Sequence, residues 1–148
     1  EAICVQVDAG SSEDIIRLLG GKLYALGYVK DGFIEATLAR EASMPTGLPL
    51  GGEFNAALPH VDIEFVNQSA LALATLTQPV VFMNMVDDQE EVPVRLVIML
   101  ALDQPKSQIA MLQEVSRILQ KPDMVSQLVA AENSQEVISI LASLAAPA

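Results

Sequence analysis

The chain has 148 residues, of which 51% are hydrophobic and 18% charged, and it contains one Cys and no Trp. This length is typical of a single domain that folds without a disulfide or a structural metal ion. The net charge of −11 argues against nucleic acid or an anionic membrane as a partner, because both would repel this protein. The longest apolar run, residues 96–102, is far shorter than the ~20 residues that span a bilayer, so we expect no direct membrane insertion. The first residues lack a secretory signal pattern, and we expect a cytoplasmic protein.

A strand and a helix are predicted at the start of the chain. Residues 3–7 are typical of a short strand, and Cys4 within it is interpreted as a small packing residue rather than a reactive thiol. Ser11 and Asp14 have the spacing of a capping box. Apolar residues then recur at helical intervals until Gly27 offers a stop, namely Ile15, Leu18, Leu19, Leu23 and Leu26.

The next segment predicts a second helix, a loop and a short strand. The pattern over residues 33–41 favours a helix that follows Asp31-Gly32. Residues 43–52 are too rich in Pro and Gly for a helix or a central strand, so we expect a loop. A short apolar strand follows over residues 54–60 and ends at Pro59.

The second half of the chain predicts further strands and then helices. Residues 70–77 and 80–85 are β-prone runs separated by Gln78-Pro79, and residues 94–102 form an aliphatic run typical of a sheet interior. Helical spacing then returns, with expected helices after Pro105 and over residues 122–131 and 134–144. This order of elements predicts a single three-layer α/β/α sandwich with helices on both faces of a mixed β-sheet.

Several kinds of chemistry have little support. Gly47, Gly51 and Gly52 lack both the G-x-G-x-x-G spacing and the Lys-Ser or Lys-Thr ending of nucleotide-binding loops. One His and one Cys are too few for a Cys/His zinc site, and the carboxylates do not form a calcium loop. The sequence has no G-x-S-x-G nucleophile elbow, so a Ser-His-Asp hydrolase has little support. We therefore expect neither a cofactor nor a metal ion.

His60 is the one histidine and the strongest candidate for chemistry. An imidazole titrates near pH ~6.5, so at neutral pH one ring nitrogen is available for proton transfer, metal ligation or phosphoryl acceptance. A lone His after a strand is more often a structural, hydrogen-bonded residue. The residue type leaves these alternatives open.

The motif around His60 resembles that of a known family. Residues 40–48 (REASMPTGL) and 56–60 (AALPH) are similar to enzyme IIA domains of the sugar phosphotransferase system, in the mannitol/fructose class and most closely in its galactitol-specific branch. The similarity continues through residues 79–82, 96–102 and 120–125, so it covers nearly the whole chain. The resemblance implies that residues 1–148 form one enzyme IIA domain with the α/β/α fold.

The resemblance also implies partners and roles. His60 would accept a phosphoryl group from the phosphohistidine of the carrier protein HPr and pass it to a cysteine of enzyme IIB, with galactitol as the expected sugar. Arg40 matches the arginine that assists the transferred group, and a guanidinium binds phosphate oxygens well. As an alternative, Arg40 is a solvated cation at a helix end.

Mannitol-type members carry a second active-site histidine where this chain has Gln108. An amide can donate a hydrogen bond to a phosphate oxygen but cannot titrate near neutral pH, so Gln108 would orient the group without moving a proton. The alternative is an exposed Gln on a first helical turn. Val61 and the long segment 50–55 also depart from the family pattern. Asp62 and Glu64 would orient the His60 ring, repel a phosphate or remain solvated loop charges.

Two other functions stay open at this point. Enzyme IIA-like domains also act as regulatory modules, in which phosphorylation of the same histidine switches a binding surface. A non-catalytic ligand-binding domain would need an apolar pocket, which a sequence does not reveal.

Overall fold

A computed structural model describes residues 2–50, 54–60, 63–87 and 89–145. This part of the chain forms five strands, five α-helices and one short 3-10 turn. In chain order these are β1 (Ala2–Val7), α1 (Ser12–Ala25), α2 (Phe33–Ser43), β2 (Gly47–Leu48), β3 (Ala56–Ala57), the 3-10 turn (Ile63–Phe65), β4 (Ala70–Met83), β5 (Glu91–Ala101), α3 (Pro105–Leu119), α4 (Pro122–Ala130) and α5 (Ser134–Ala145).

The five strands form one mixed sheet in the order β1-β4-β5-β3-β2. β4 and β5 are a long antiparallel hairpin at its centre. β1 pairs with β4 and β3 pairs with β5, both in parallel, and β2 closes the far edge antiparallel to β3. The predicted mixed sheet is confirmed, and residues 94–101 of the predicted interior run lie in its central hairpin.

Alternating residues of the central strands build two cores on opposite faces of the sheet. Val97 and Met99 of β5 pack in the core that contains buried residues of α1 and α2. Leu96, Ile98 and Leu100 face the other core, which contains buried residues of α3, α4 and α5. The three-layer sandwich is therefore confirmed.

Local signals at the start of the chain act as predicted. The Ser11 hydroxyl accepts a hydrogen bond from the Asp14 backbone N–H and caps α1. Gly27 follows the end of this helix with a φ of 82°, a conformation that suits glycine because it has no Cβ. Cys4 is partly buried against the first core, and this burial raises the pKa of its thiol.

The interpretation of residues 70–77 and 80–85 as separate runs is wrong. β4 continues through Gln78-Pro79, and the ladder with β5 shifts register between Thr75 and Val80. Pro79 has no N–H to donate, so an irregularity in the ladder accommodates it. The Arg95 side chain donates a hydrogen bond to the Leu76 carbonyl in this gap.

Two shorter elements also differ from prediction. The Pro/Gly-rich loop contains the two-residue edge strand β2, and the strand expected over residues 54–60 is reduced to β3. Within the described ranges, no helix is long and apolar enough to cross a membrane.

Candidate functional site

His60 lies just beyond β3, where the backbone leaves the sheet. It forms an isolated parallel bridge with Leu100, and the Leu100 N–H donates to the Pro59 carbonyl over 3.0 Å. Leu58 and Pro59 are buried while His60 is partly exposed. The strand end is therefore anchored in the core and delivers the imidazole to the surface.

The orientation of the His60 ring follows from one hydrogen bond. Its Nδ1 atom lies 2.8 Å from the Leu58 carbonyl oxygen. A carbonyl only accepts hydrogen bonds, so Nδ1 must carry the proton. In the neutral ring, Nε2 then carries no proton, and its lone pair makes it the nucleophilic atom.

Arg40 and His60 line the same cavity, which has a volume of about 490 Å³. Arg40 comes from the last turn of α2 and is partly buried. The two candidates are thus brought together from separate elements of the fold. The remaining lining residues are Ser43, Met44, Pro45, Thr46, Met85, Val86 and Asp87.

The loop after α2 is tied to α2 by a carboxylate that the sequence did not single out. Glu41 accepts hydrogen bonds from the Thr46 backbone N–H and from the Thr46 hydroxyl, each over 2.8 Å. Thr46 is only 2% exposed. Burial raises the pKa of Glu41, and the two hydrogen bonds from Thr46 oppose this shift.

The turn between β4 and β5 forms the opposite rim of the cavity. The Asn84 side chain donates to a Glu90 carboxylate oxygen over 2.6 Å and accepts from the Val86 N–H over 2.7 Å. The Met85 N–H donates to the Gly47 carbonyl over 2.8 Å. This turn is therefore fixed to the loop after α2, and its Val86 side chain is 90% exposed.

Sequence reasoning missed this rim. Nothing in the residue types near Met85 indicates that they line a cavity with His60, because this arrangement arises only when the hairpin packs against the loop after α2. Glu41 and Thr46 did lie within the motif that carries the family resemblance, but their pairing depends on how the chain turns at Ser43.

The other predicted site residues have different outcomes. The backbone of Gln108 lies within α3, whereas its side chain lies outside the described structure, so its role stays a prediction. Val61, Asp62 and residues 51–53 of the long segment are also outside the described residues. Glu64 is exposed on the 3-10 turn.

Comparison with known proteins identifies the family. Residues 1–144 match the family described as phosphoenolpyruvate-dependent sugar phosphotransferase system, EIIA 2. The chain is 34% identical over 122 residues to the galactitol-specific EIIA component of the phosphotransferase system from Escherichia coli, which covers 82% of this chain and 80% of that protein.

Solved structures agree with this result. The crystal structure of IIA mannitol from Escherichia coli has a TM-score of 0.78 and 26% identity, covering 95% of each chain. The complex of enzyme IIAMTL with phosphorylated enzyme IIBMTL from the same organism gives a TM-score of 0.78 and 25% identity over 96% of this chain and 94% of that one. The predicted resemblance and fold are confirmed, and the chain belongs to the EIIA 2 family of the phosphoenolpyruvate-dependent sugar phosphotransferase system.

Proposed function

We propose that this protein is a cytoplasmic phosphocarrier in which His60 accepts a phosphoryl group from HPr and passes it to a cysteine of enzyme IIB. The observation that carries the proposal is the hydrogen bond from His60 Nδ1 to the Leu58 carbonyl. It leaves Nε2 as the nucleophile at the edge of an open cavity. Residues 1–148 act in this proposal as one enzyme IIA domain.

Two successive displacements at phosphorus describe the reaction. The Nε2 lone pair of His60 forms a bond to phosphorus as the P–N bond to the HPr histidine breaks, and the electron pair of that bond returns to the donor imidazole. In the second step, the thiolate of enzyme IIB attacks phosphorus and the bond to Nε2 breaks. Such transfers depend on positioning and on compensation of negative charge.

Arg40 is the group proposed to compensate that charge. It lines the same cavity as His60, and its guanidinium presents several N–H donors in a geometry that matches phosphate oxygens. Gln108 is proposed to donate an amide hydrogen bond to the same phosphoryl group, on the strength of its place in the family motif. Because Gln108 cannot titrate near neutral pH, it would orient the phosphoryl group only.

The surface around the cavity suits transient protein partners. Exposed Met44, Met85 and Val86 line the same cavity as His60 and supply an apolar contact area, which is typical of interface centres. The overall charge of −11 would attract basic partner surfaces and accelerate encounter. The IIA mannitol relative is known in complex with phosphorylated enzyme IIB, which supports the acceptor proposed here.

The proposal is tested by incubating the protein with phosphoenolpyruvate, enzyme I and HPr, and following an acid-labile phosphoryl adduct. We expect a single labelled site in the wild type and none in His60→Ala. Arg40→Ala should slow labelling by about 10²-fold or more, because a group that stabilises transferring charge is lost. Arg17→Ala is the matched control, since Arg17 lies on α1 and pairs with Glu13 and Glu35 instead. Equal labelling of His60→Ala and wild type would contradict the proposal.

The acceptor and the sugar need a second assay. Galactitol is proposed from the similarity to the galactitol-specific component. The labelled protein should transfer its phosphoryl group to a galactitol-type enzyme IIB faster than to a mannitol-type one. A regulatory module would instead keep its label in the presence of either enzyme IIB, and that result would favour the alternative function.

A further inference from the structure

A chain of hydrogen bonds connects Glu41 to the His60 ring. The Glu41 carboxylate holds both the N–H and the hydroxyl of Thr46. The Thr46 carbonyl accepts from the Leu58 N–H over 3.3 Å, and the Leu58 carbonyl accepts from His60 Nδ1 over 2.8 Å. Each link restrains the residue that makes the next one.

The same carboxylate also connects His60 to Arg40. Glu41 directly follows Arg40 in the last turn of α2, so the carboxylate that holds Thr46 fixes the helix end that carries the guanidinium. Gly47, the residue after Thr46, accepts from Met85 in the turn between β4 and β5. All three sides of the cavity therefore converge on the Glu41–Thr46 pair.

Stability alone gives a weak reason for a carboxylate at this position. Glu41 is partly buried, and its burial disfavours the charged form. It also lies in the last turn of α2, where the helix dipole opposes negative charge. The two hydrogen bonds from Thr46 oppose this cost, and they fix the geometry of Thr46, which matters where reacting groups must be aligned.

We propose that Glu41 is a positioning residue for phosphoryl transfer: through Thr46 and Leu58 it holds the His60 ring with the proton on Nδ1, and it fixes the helix end that carries Arg40. This role rests on the proposed phosphocarrier function. Glu41 touches neither the phosphoryl group nor its partner proteins in this scheme. It acts only through the groups that it orients.

The single histidine makes the proposal directly measurable. In a long-range ¹H–¹⁵N NMR spectrum, the only imidazole signals come from His60, and their ¹⁵N shifts report which ring nitrogen carries the proton. We expect the Nδ1–H tautomer to dominate in the wild type. Glu41→Ala should shift these signals toward a mixture of tautomers and slow labelling of His60 by about 10- to 100-fold, the effect of a small misplacement of reacting groups.

Three further variants separate positioning from folding. Glu41→Gln should keep the wild-type tautomer and most of the rate, because an amide can accept from the Thr46 N–H and donate to its hydroxyl. Thr46→Val removes only the hydroxyl hydrogen bond and should give an intermediate shift and rate, so it serves if Glu41→Ala does not fold. Glu35→Ala, on an exposed face of the same helix, should match the wild type in both measurements.

The outcomes decide between the two proposals. Wild-type tautomer and labelling rate in folded Glu41→Ala, or in Thr46→Val where Glu41→Ala does not fold, would overturn the positioning role. A shifted tautomer with slowed labelling, and recovery in Glu41→Gln, would support it. If the wild type itself is not labelled, the phosphocarrier proposal fails, while the NMR comparison still shows whether Glu41 holds the ring.

Discussion

Gly47→Ala is a substitution for which the structure predicts a large effect from one methyl group. A Cβ atom at Gly47 would lie 2.5 Å from the Met83 carbonyl oxygen, 3.2 Å from its carbon and 3.3 Å from the Phe82 Cβ. The closest of these atoms belong to the backbone of β4, which cannot move aside as a flexible side chain does. β2 must therefore separate from the central hairpin.

The cost can be worked out from two contributions. Overpacking of a tight contact costs about 1–3 kcal/mol, and a weakened hydrogen bond from the Met85 N–H to the Gly47 carbonyl costs about 0.5–1.5 kcal/mol. The free energy of unfolding should fall by roughly 2–4 kcal/mol, which lowers the Tm of a domain of this size by roughly 4–16 °C. The labelling rate of His60 should also fall, because the turn at Met85 forms one rim of the cavity.

Differential scanning calorimetry and urea unfolding measure this change, with Gly21→Ala as the matched control. A Cβ at Gly21 meets no atom within 4 Å, and Gly21 lies inside α1. This second substitution should therefore stabilise the protein by about 0.5–1 kcal/mol, because alanine favours the helix. A Gly47→Ala protein as stable as the wild type would contradict the close contact between β2 and the hairpin.

Three further substitutions test other parts of the structure. Ser11→Ala removes the cap of α1 and should lower the unfolding free energy by about 0.5–2 kcal/mol in urea titrations; an unchanged midpoint would rule out the cap. Leu100→Ala creates a cavity in a fully buried site and should cost about 2–5 kcal/mol by the same method, which a smaller loss would contradict. Because burial raises the pKa of Glu41, its ionisation destabilises the fold as the pH rises above about 4.3, the ordinary value for Glu, towards the folded pKa. Glu41→Gln should therefore gain Tm relative to the wild type across this range, and a difference independent of pH would refute this reasoning.

Features set by neighbouring residues were predictable from the sequence. The cap at Ser11, the stop at Gly27 and the start of α4 at Pro122 each depend on a few adjacent residues, and the structure confirms them. The aliphatic run within β5 indicated a strand that is buried on both faces of the sheet, and consecutive residues of this run are buried.

Features that depend on a distant partner were not predictable. Whether Pro79 ends a strand is decided by the register of β5 and by the Arg95 side chain that reaches the Leu76 carbonyl. The arrangement of Met85 and His60 around one cavity likewise depends on tertiary contacts. The catalytic roles of His60 and Arg40 stay predictions until labelling tests them.

The topology of the sheet determines when the cavity can exist during folding. Its central hairpin pairs residues that are close along the chain, such as Met83 with Glu91. The pairs Ala2 with Ala72 and Ala56 with Leu96 join residues that are far apart along the chain. Contacts between distant residues pay a larger loop entropy and form later. The cavity needs the end of α2, the end of β3 and the tip of the hairpin together. A chain in which α2 and β3 are not yet docked on the hairpin therefore lacks the cavity and would not be competent to carry a phosphoryl group.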